Sequence, residues 1–265
     1  MKKIILTVAG ALVLASCATN PVTGRKSLSL VSNADLFPTA YNQYSQVLKQ
    51  GKVITGTADA KMVQTVGERL KYAAEKYYQE KGISSQLQGY QWQFTLLNAN
   101  EVNAWCMPGG KVAVYSGILP VTKDATGLAV VLGHEIGHAL AGHSAEQASQ
   151  QMAAQGLGQI VGGSIGNAEY AKVFEQLYPV GAQVGLLNYS RKMELDADVT
   201  GLYLMAMAGY DPSQAIPFWE RMAAKSGNAG VSEFLSTHPS DATRMAKIKE
   251  ALPTALAYYL SLIHI

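Results

Sequence analysis

Two histidines four residues apart, His134 and His138, stand in the segment V-L-G-H-E-I-G-H-A-L from Val131 to Leu140. On an α-helix this spacing projects both imidazoles from one face, within reach of a single metal ion. Glu135 follows the first histidine and is placed to act on a water at the metal, the arrangement of a zinc hydrolase. Leu128, Val131, Leu132, Ile136, Ala139 and Leu140 form a broad apolar stripe, and Asp124 supplies a cap. Together they predict a helix from about Asp124 to His143.

A third ligand has to come from elsewhere. The metzincin continuation needs Gly three and His six residues after the second histidine; Ala141 and Ser144 occupy those positions and exclude that class. His143 would face roughly 140° away from the ligand side if the helix continued, so it reads as a helix-end residue or as a support behind a ligand. The stronger candidate lies in S-R-K-M-E-L-D-A-D, from Ser190 to Asp198. There Glu194 and Asp198 are four apart, so a second helix can give Glu194 to the metal and leave Asp198 to hydrogen-bond a ligand histidine. The competing reading of this stretch is a solvated acidic face beside Arg191 and Lys192.

Taken in order, V-L-G-H-E-I-G-H-A-L-A-G-H, S-R-K-M-E-L-D-A-D, and T-H-P-S-D-A-T-R from Thr237 to Arg244 resemble one family. It comprises the membrane-associated zinc endopeptidases related to HtpX, BepA, LoiP, the Oma-type proteases and the CAAX prenyl endopeptidases. The segment from Asn98 to Leu119 resembles the strand region before that family's zinc helix. N-P-V-T-G-R-K-S-L-S-L-V-S, from Asn20 to Ser32, resembles the opening of its bacterial lipoprotein members. The resemblance implies a zincin-like α+β fold, mainly helical, with a small sheet flanking the H-E-x-x-H helix. It implies a gluzincin with one zinc held by His134, His138 and Glu194, and Glu135 as general base. His238 resembles the family's downstream active-site histidine and is the candidate catalytic donor to the oxyanion; occupation of the open zinc position in a latent enzyme and capping of a helix are the alternatives. Arg244 is placed to orient a carboxylate.

At the N-terminus, Lys2 and Lys3 precede the apolar run Ile4 to Leu14, which makes residues 1–16 a secretory signal. The run is shorter than the ~20 residues a membrane-spanning helix needs. Leu14-Ala15-Ser16-Cys17 resembles a bacterial lipobox, with Cys17 the lipidated residue. The chain then divides into a lipidated tether over 17–32, a zinc metalloprotease domain over 33–252, and a C-terminal tail of uncertain origin over 253–265. With Cys17 carrying lipid, Cys106 has no disulfide partner and reads as a small buried hydrophobe beside the Met107-Pro108-Gly109-Gly110 turn. The 21 basic and 19 acidic residues become equal once Lys2 and Lys3 leave with the signal. Near-neutrality without a Lys/Arg cluster argues against nucleic acid as a partner.

Periodicity predicts the elements that position these groups. Helices are expected over Asn33–Gln50, over Ala58–Glu80 with Met62, Val66, Leu70 and Ala73 on one stripe, and over Gln183–Ala208, ended by Gly209. Others run from Asp211-Pro212 to about Lys225 and from Ser240 to Leu252. Tyr90–Leu97 alternates as a strand with Trp92, Phe94 and Leu96 on one side, and Lys111–Ser116 is a second strand. Met152–Ser164 is Gly-rich and apolar, a close-packed helix or a flap between the ligand helices. An edge strand at Lys111–Ser116 would bind an extended peptide through its backbone.

The expected function is a zinc-dependent metalloendopeptidase that cleaves unfolded or misassembled cell-envelope proteins, lipid-anchored and facing the periplasm, in the inner or the outer membrane. The alternative is a non-catalytic periplasmic chaperone or assembly factor on a protease fold, which the intact Glu135 disfavours. A zinc amidase acting on cell-wall peptides has no supporting feature. If Cys17 is the anchor, labelled fatty acid enters the wild-type protein and Cys17→Ser abolishes the labelling. A labelled Cys17→Ser protein would refute the anchor.

Overall fold

The computed structural model describes residues 17–155, 167–177, 189–224, 231, 235–236, 238 and 242–263. Its centre is a helix that the sequence makes apolar on every side. Helix α3 (Ala125–Leu140) is buried at each position from Gly127 to Leu140, as expected of a helix with no polar face. Asp124 caps it, its side chain accepting from the Gly127 N–H at 2.8 Å.

Around α3 lie α1 (Phe37–Gln50), α2 (Ala58–Glu80), α4 (His143–Ala154), α5 (Asn167–Leu177), α6 (Arg191–Met207), α7 (Ala215–Ala224) and α8 (Ala242–Ile263). Thr57 caps α2 through the Ala60 N–H. Ser190 caps α6 through the Met193 N–H, and Gly209, with φ +79°, follows the α6 C-terminus. The limits of α2 and the C-terminal limits of α1 and α6 agree with the apolar periodicity, whereas α1 starts at Phe37, after a 3₁₀ turn over Ala34–Leu36, and α6 starts at Arg191, with Tyr189 and Ser190 outside the helix. Residues 183–188 of the expected α6 segment, and most of Met152–Ser164, lie outside the described residues.

Four strands form the main sheet in the order β3 (Val53–Ile54), β4 (Gln93–Leu97), β6 (Lys111–Tyr115), β5 (Ala104–Met107). β4 and β6 run parallel, and the other pairs are antiparallel. Side chains alternate between faces. Phe94, Leu96, Ala104, Cys106, Val112 and Val114 join the core with α2, α3 and α6. Leu97, Trp105, Met107, Ala113 and Tyr115 join a second core with α1, α4 and α5. The sheet thus backs α3 on one face and is covered on the other.

Four further expectations are corrected. Lys111–Ser116 is not an edge strand: β6 is central, and among the described residues the free edge beside α3 belongs to β5. The helix expected to reach His143 stops at Leu140, because Gly142 adopts φ +69° and starts α4 in a new direction. The last helix does not stop at Leu252 but runs on through Pro253 to Ile263, holding Ala255 in the core and Tyr258 against Tyr203. Residues 17–32, expected as a polar tether, include β1 (Cys17–Thr19) paired with β2 (Lys26–Leu28). No described helix is long and apolar enough to cross a membrane.

Helices α3 and α6 meet through glycine. A Cβ on Gly201 would lie 2.6 Å from the Gly133 carbonyl carbon and the His134 nitrogen, and one on Gly137 would lie 2.8 Å from the Ala197 oxygen. These are backbone atoms, so only a shift of a whole helix relieves the overlap. Gly201→Ala is therefore expected to destabilise the fold by about 3 kcal/mol, the upper part of the usual overpacking range, measured by chemical denaturation of the metal-free protein. An unchanged midpoint would show that the two helices do not pack this closely.

Candidate metal centre

Helix α3 presents His134 and His138 one turn apart, α6 presents Glu194 from its first turn, and His238 comes from the segment before α8. All four are buried, and one ligand atom from each lies within 4.8 Å of the others. The Nε2 atoms of His134 and His138 are 3.0 Å apart. Glu194 Oε2 is 3.5 Å from His134 Nε2, and Oε1 is 3.4 Å from His138 Nε2. His238 Nδ1 lies 3.2 Å from His134 Nε2 and 3.3 Å from both Glu194 oxygens. A tetrahedral zinc with bonds of about 2.0–2.1 Å separates its ligand atoms by about 3.4 Å, so these spacings and this N₃O donor set fit zinc.

Electrostatics agree with that fit. Burial alone would lower the His134 pKa, but hydrogen bonds to Asp198 and Glu194 raise it to about 9, a measure of the field favouring a cation here. Burial holds His138 well below its ordinary value, leaving it neutral and ready to ligate. Burial alone would raise Glu194, yet attraction to His238 and close contact with the three histidine rings hold it well below the usual carboxylate range. Glu135 is pushed up by burial; its Oε1 makes no hydrogen bond among the described residues and lies 3.7 Å from His238 Nε2.

The profile of peptidase family M48 matches residues 64–252, a span that includes both ligand helices and His238. The chain belongs to peptidase family M48. It is 42% identical over 165 residues to the mitochondrial metalloendopeptidase OMA1 of Schizosaccharomyces pombe, covering 62% of this chain and 48% of that protein. To human metalloendopeptidase OMA1 it is 30% identical over 245 residues, 89% of this chain and 46% of the relative. To the Beta-barrel assembly-enhancing protease of Yersinia pestis it is 32% identical over 179 residues, 62% of this chain and 36% of the relative. The chain thus spans half or less of the length of these relatives.

Within this M48 site, Asp198 sits where the four-residue spacing from Glu194 suggested. Its Oδ1 is 2.9 Å from His134 Nδ1, and Arg244 forks onto it, Nε and one terminal nitrogen each donating at 2.6 Å. The Arg244 guanidinium lies 3.9 Å over the Trp219 ring and donates to the His238 carbonyl at 3.1 Å. His143 is turned back by Gly142, and its Nδ1 lies 2.8 Å from His138 Nδ1. Cys106 is buried, with burial pushing its thiol well up, and takes no part in the cluster.

Sequence reading missed Asp196, which hydrogen-bonds His143, and Tyr189, whose ring stacks on His138 at 3.9 Å. Asp196 stands two residues from Glu194, about 200° around the helix, so the search for carboxylates on one face passed over it. Its signal was present as the middle acid of E-L-D-A-D. Trp219 carried no local signal, because its contact with Arg244 joins separate helices.

If this cluster is the metal site, the protein binds about one zinc per chain by elemental analysis. His134→Ala, His138→Ala and Glu194→Ala each lower occupancy sharply, whereas His143→Ala retains the metal with weaker affinity. Full zinc retention in Glu194→Ala would reject the ligand assignment.

Proposed function

We propose that the protein is a zinc metalloendopeptidase of the cell envelope, tethered through Cys17, that cleaves unfolded or misassembled proteins. The observation that carries this reading is Glu135: a buried carboxylate beside the His/His/Glu cluster with Oε1 unbonded among the described residues. A structural role would have satisfied that oxygen, since buried polar atoms are normally paired. The relatives' names, metalloendopeptidase and Beta-barrel assembly-enhancing protease, support both the chemistry and the envelope setting.

His134, His138 and Glu194 would hold zinc, which supplies Lewis-acid polarisation of a carbonyl and activation of water when bound. Glu135 takes the proton of the attacking water and returns it to the leaving amine nitrogen, a role suited to a carboxylate whose burial raises its pKa. Asp198, pinned by Arg244, fixes the His134 ring with Nε2 toward the metal. An extended substrate aligns along β5 rather than β6. The bond from the Tyr115 N–H to the Asn103 carbonyl, 3.0 Å, sets the pairing phase, and alternation then turns the Cys106 N–H and carbonyl toward the free edge. Backbone pairing there tolerates many side chains, which suits unfolded clients.

His238 is assigned as the occupant of the fourth metal position in a resting state. The nearness of its Nδ1 to His134 Nε2, 3.2 Å, and to both Glu194 oxygens, 3.3 Å, supports this role over the oxyanion donor. Activation then requires His238 to swing aside.

Glu135→Gln is expected to keep zinc and fold while losing about 10²–10⁴ in kcat on an unfolded protein such as casein. A chaperone would instead show no proteolysis in wild type and equal protection from aggregation in both proteins. His238→Ala is expected to retain zinc and gain activity. A fall of about 10²–10³ in kcat with KM little changed would reassign it to the oxyanion.

A further inference from the structure

The metal-facing histidines are supported differently from behind. His134 leans on a carboxylate, whereas His138 leans on another histidine, and the contacts beyond it lead to the N-terminal arm. His138 Nδ1 is 2.8 Å from His143 Nδ1, His143 Nε2 is 3.1 Å from Asp196 Oδ2, and Arg25 Nε donates to that same oxygen at 2.8 Å. The Thr23 hydroxyl donates to Asp196 Oδ1. The two terminal nitrogens of Arg25 fork onto Glu146 of α4 at 3.1 and 2.6 Å.

Proton counting gives this chain of contacts a direction. With Nε2 in the ligand cluster, His138 carries its proton on Nδ1 and donates it to His143 Nδ1, which therefore has to be the acceptor. The His143 proton is then on Nε2 and is donated to Asp196, an acceptor-only group when ionised. The Asp196 side chain is 1% exposed. A full charge at that depth needs a partner of opposite sign, and Arg25 is the permanent cation paired with it.

We propose that Arg25 is a positioning residue of the metal centre. By fixing the Asp196 carboxylate where His143 Nε2 reaches it, Arg25 holds the His143 ring against His138 Nδ1, and so keeps the lone pair of His138 Nε2 aimed at the metal. The N-terminal arm is then a working part of the site, and anything that lifts the arm from α4 and α6 loosens the metal. The inference rests on the metal-centre reading above.

Competition with a chromophoric zinc chelator, on the whole chain, tests it. Partners behind a metal ligand typically set affinity by about 10–100-fold, and Arg25 stands one contact further out, so Arg25→Met is expected to weaken zinc binding by about tenfold. In a His143→Gln background, Arg25→Met has no further effect, because the path is already cut. Asp196→Asn, which keeps the shape and removes the charge, gives the same loss and likewise masks Arg25→Met, and it serves if Arg25→Met fails to fold. Glu146→Gln releases the other anchor of the arm but leaves Asp196 paired, and stays within about twofold of wild type. Unchanged affinity in Arg25→Met, additive effects with His143→Gln, or a Glu146→Gln loss equal to that of Arg25→Met would each overturn the relay. Failure of the wild type to bind zinc would overturn the metal reading along with it.

Discussion

The site depends on how closely two helices approach. His134 and His138 on α3 and Glu194 on α6 can share one ion only if the helix backbones come nearer than side chains with a Cβ at the crossing would allow. Gly133, Gly137 and Gly201 remove those atoms where the helices touch, so that carbonyls and nitrogens of one backbone meet the other. Glycine inside a helix costs roughly 1 kcal/mol each relative to alanine, and the close contact is what that cost provides. The apolar surround of α3 then keeps the crossing rigid, with the sheet, α2 and α8 packed about the pair.

That rigidity comes with a desolvation problem. His134, Glu135, His138, His143, Glu194, Asp196, Asp198, His238 and Arg244 are all buried, and an ionised group without a partner at that depth costs several kcal/mol. The protein resolves this in two branches that leave the metal cluster in opposite directions. One runs from His134 through Asp198 to Arg244, stacked on Trp219. The other runs from His138 through His143 and Asp196 to Arg25. Each ends in a guanidinium, whose planar fork can satisfy a carboxylate with two bonds. Asp198 takes such a fork from Arg244, and Glu146 takes one from Arg25.

The zinc helix and its cap, the α6 helix with Glu194 and Asp198, and the alternation of β4 were legible because each is written in residues close in sequence. Spacings of two, three and four residues translate directly into faces. The features that escaped are of another kind. The break at Gly142 depended on one residue adopting positive φ inside a run that otherwise reads as helix. The identity of the edge strand depended on β4 pairing with β6 in parallel, which placed the earlier β5 outside; no local pattern records strand order. The continuation of α8 through Pro253 is a tertiary effect, since Ala255 and Tyr258 find partners in the core. Arg25 lay in a stretch that reads as polar tether, and its partners are more than a hundred residues away.

The exception within the polar network explains the rest of it. Asp196, Asp198 and Glu194 are each held low in pKa by hydrogen bonds or charges that outweigh their burial. In Glu135 burial wins and the pKa rises, although His238, His134 and Arg244 act against it. Three carboxylates are thus favoured as anions, Glu194 within the histidine cluster and Asp196 and Asp198 behind its histidines, and the fourth is left with an oxygen unbonded among the described residues. A group that must accept a proton and then give it back cannot be locked in either state. Leaving Glu135 underpaired, inside a fold that pairs its neighbours, suits the proton-carrying role proposed for it.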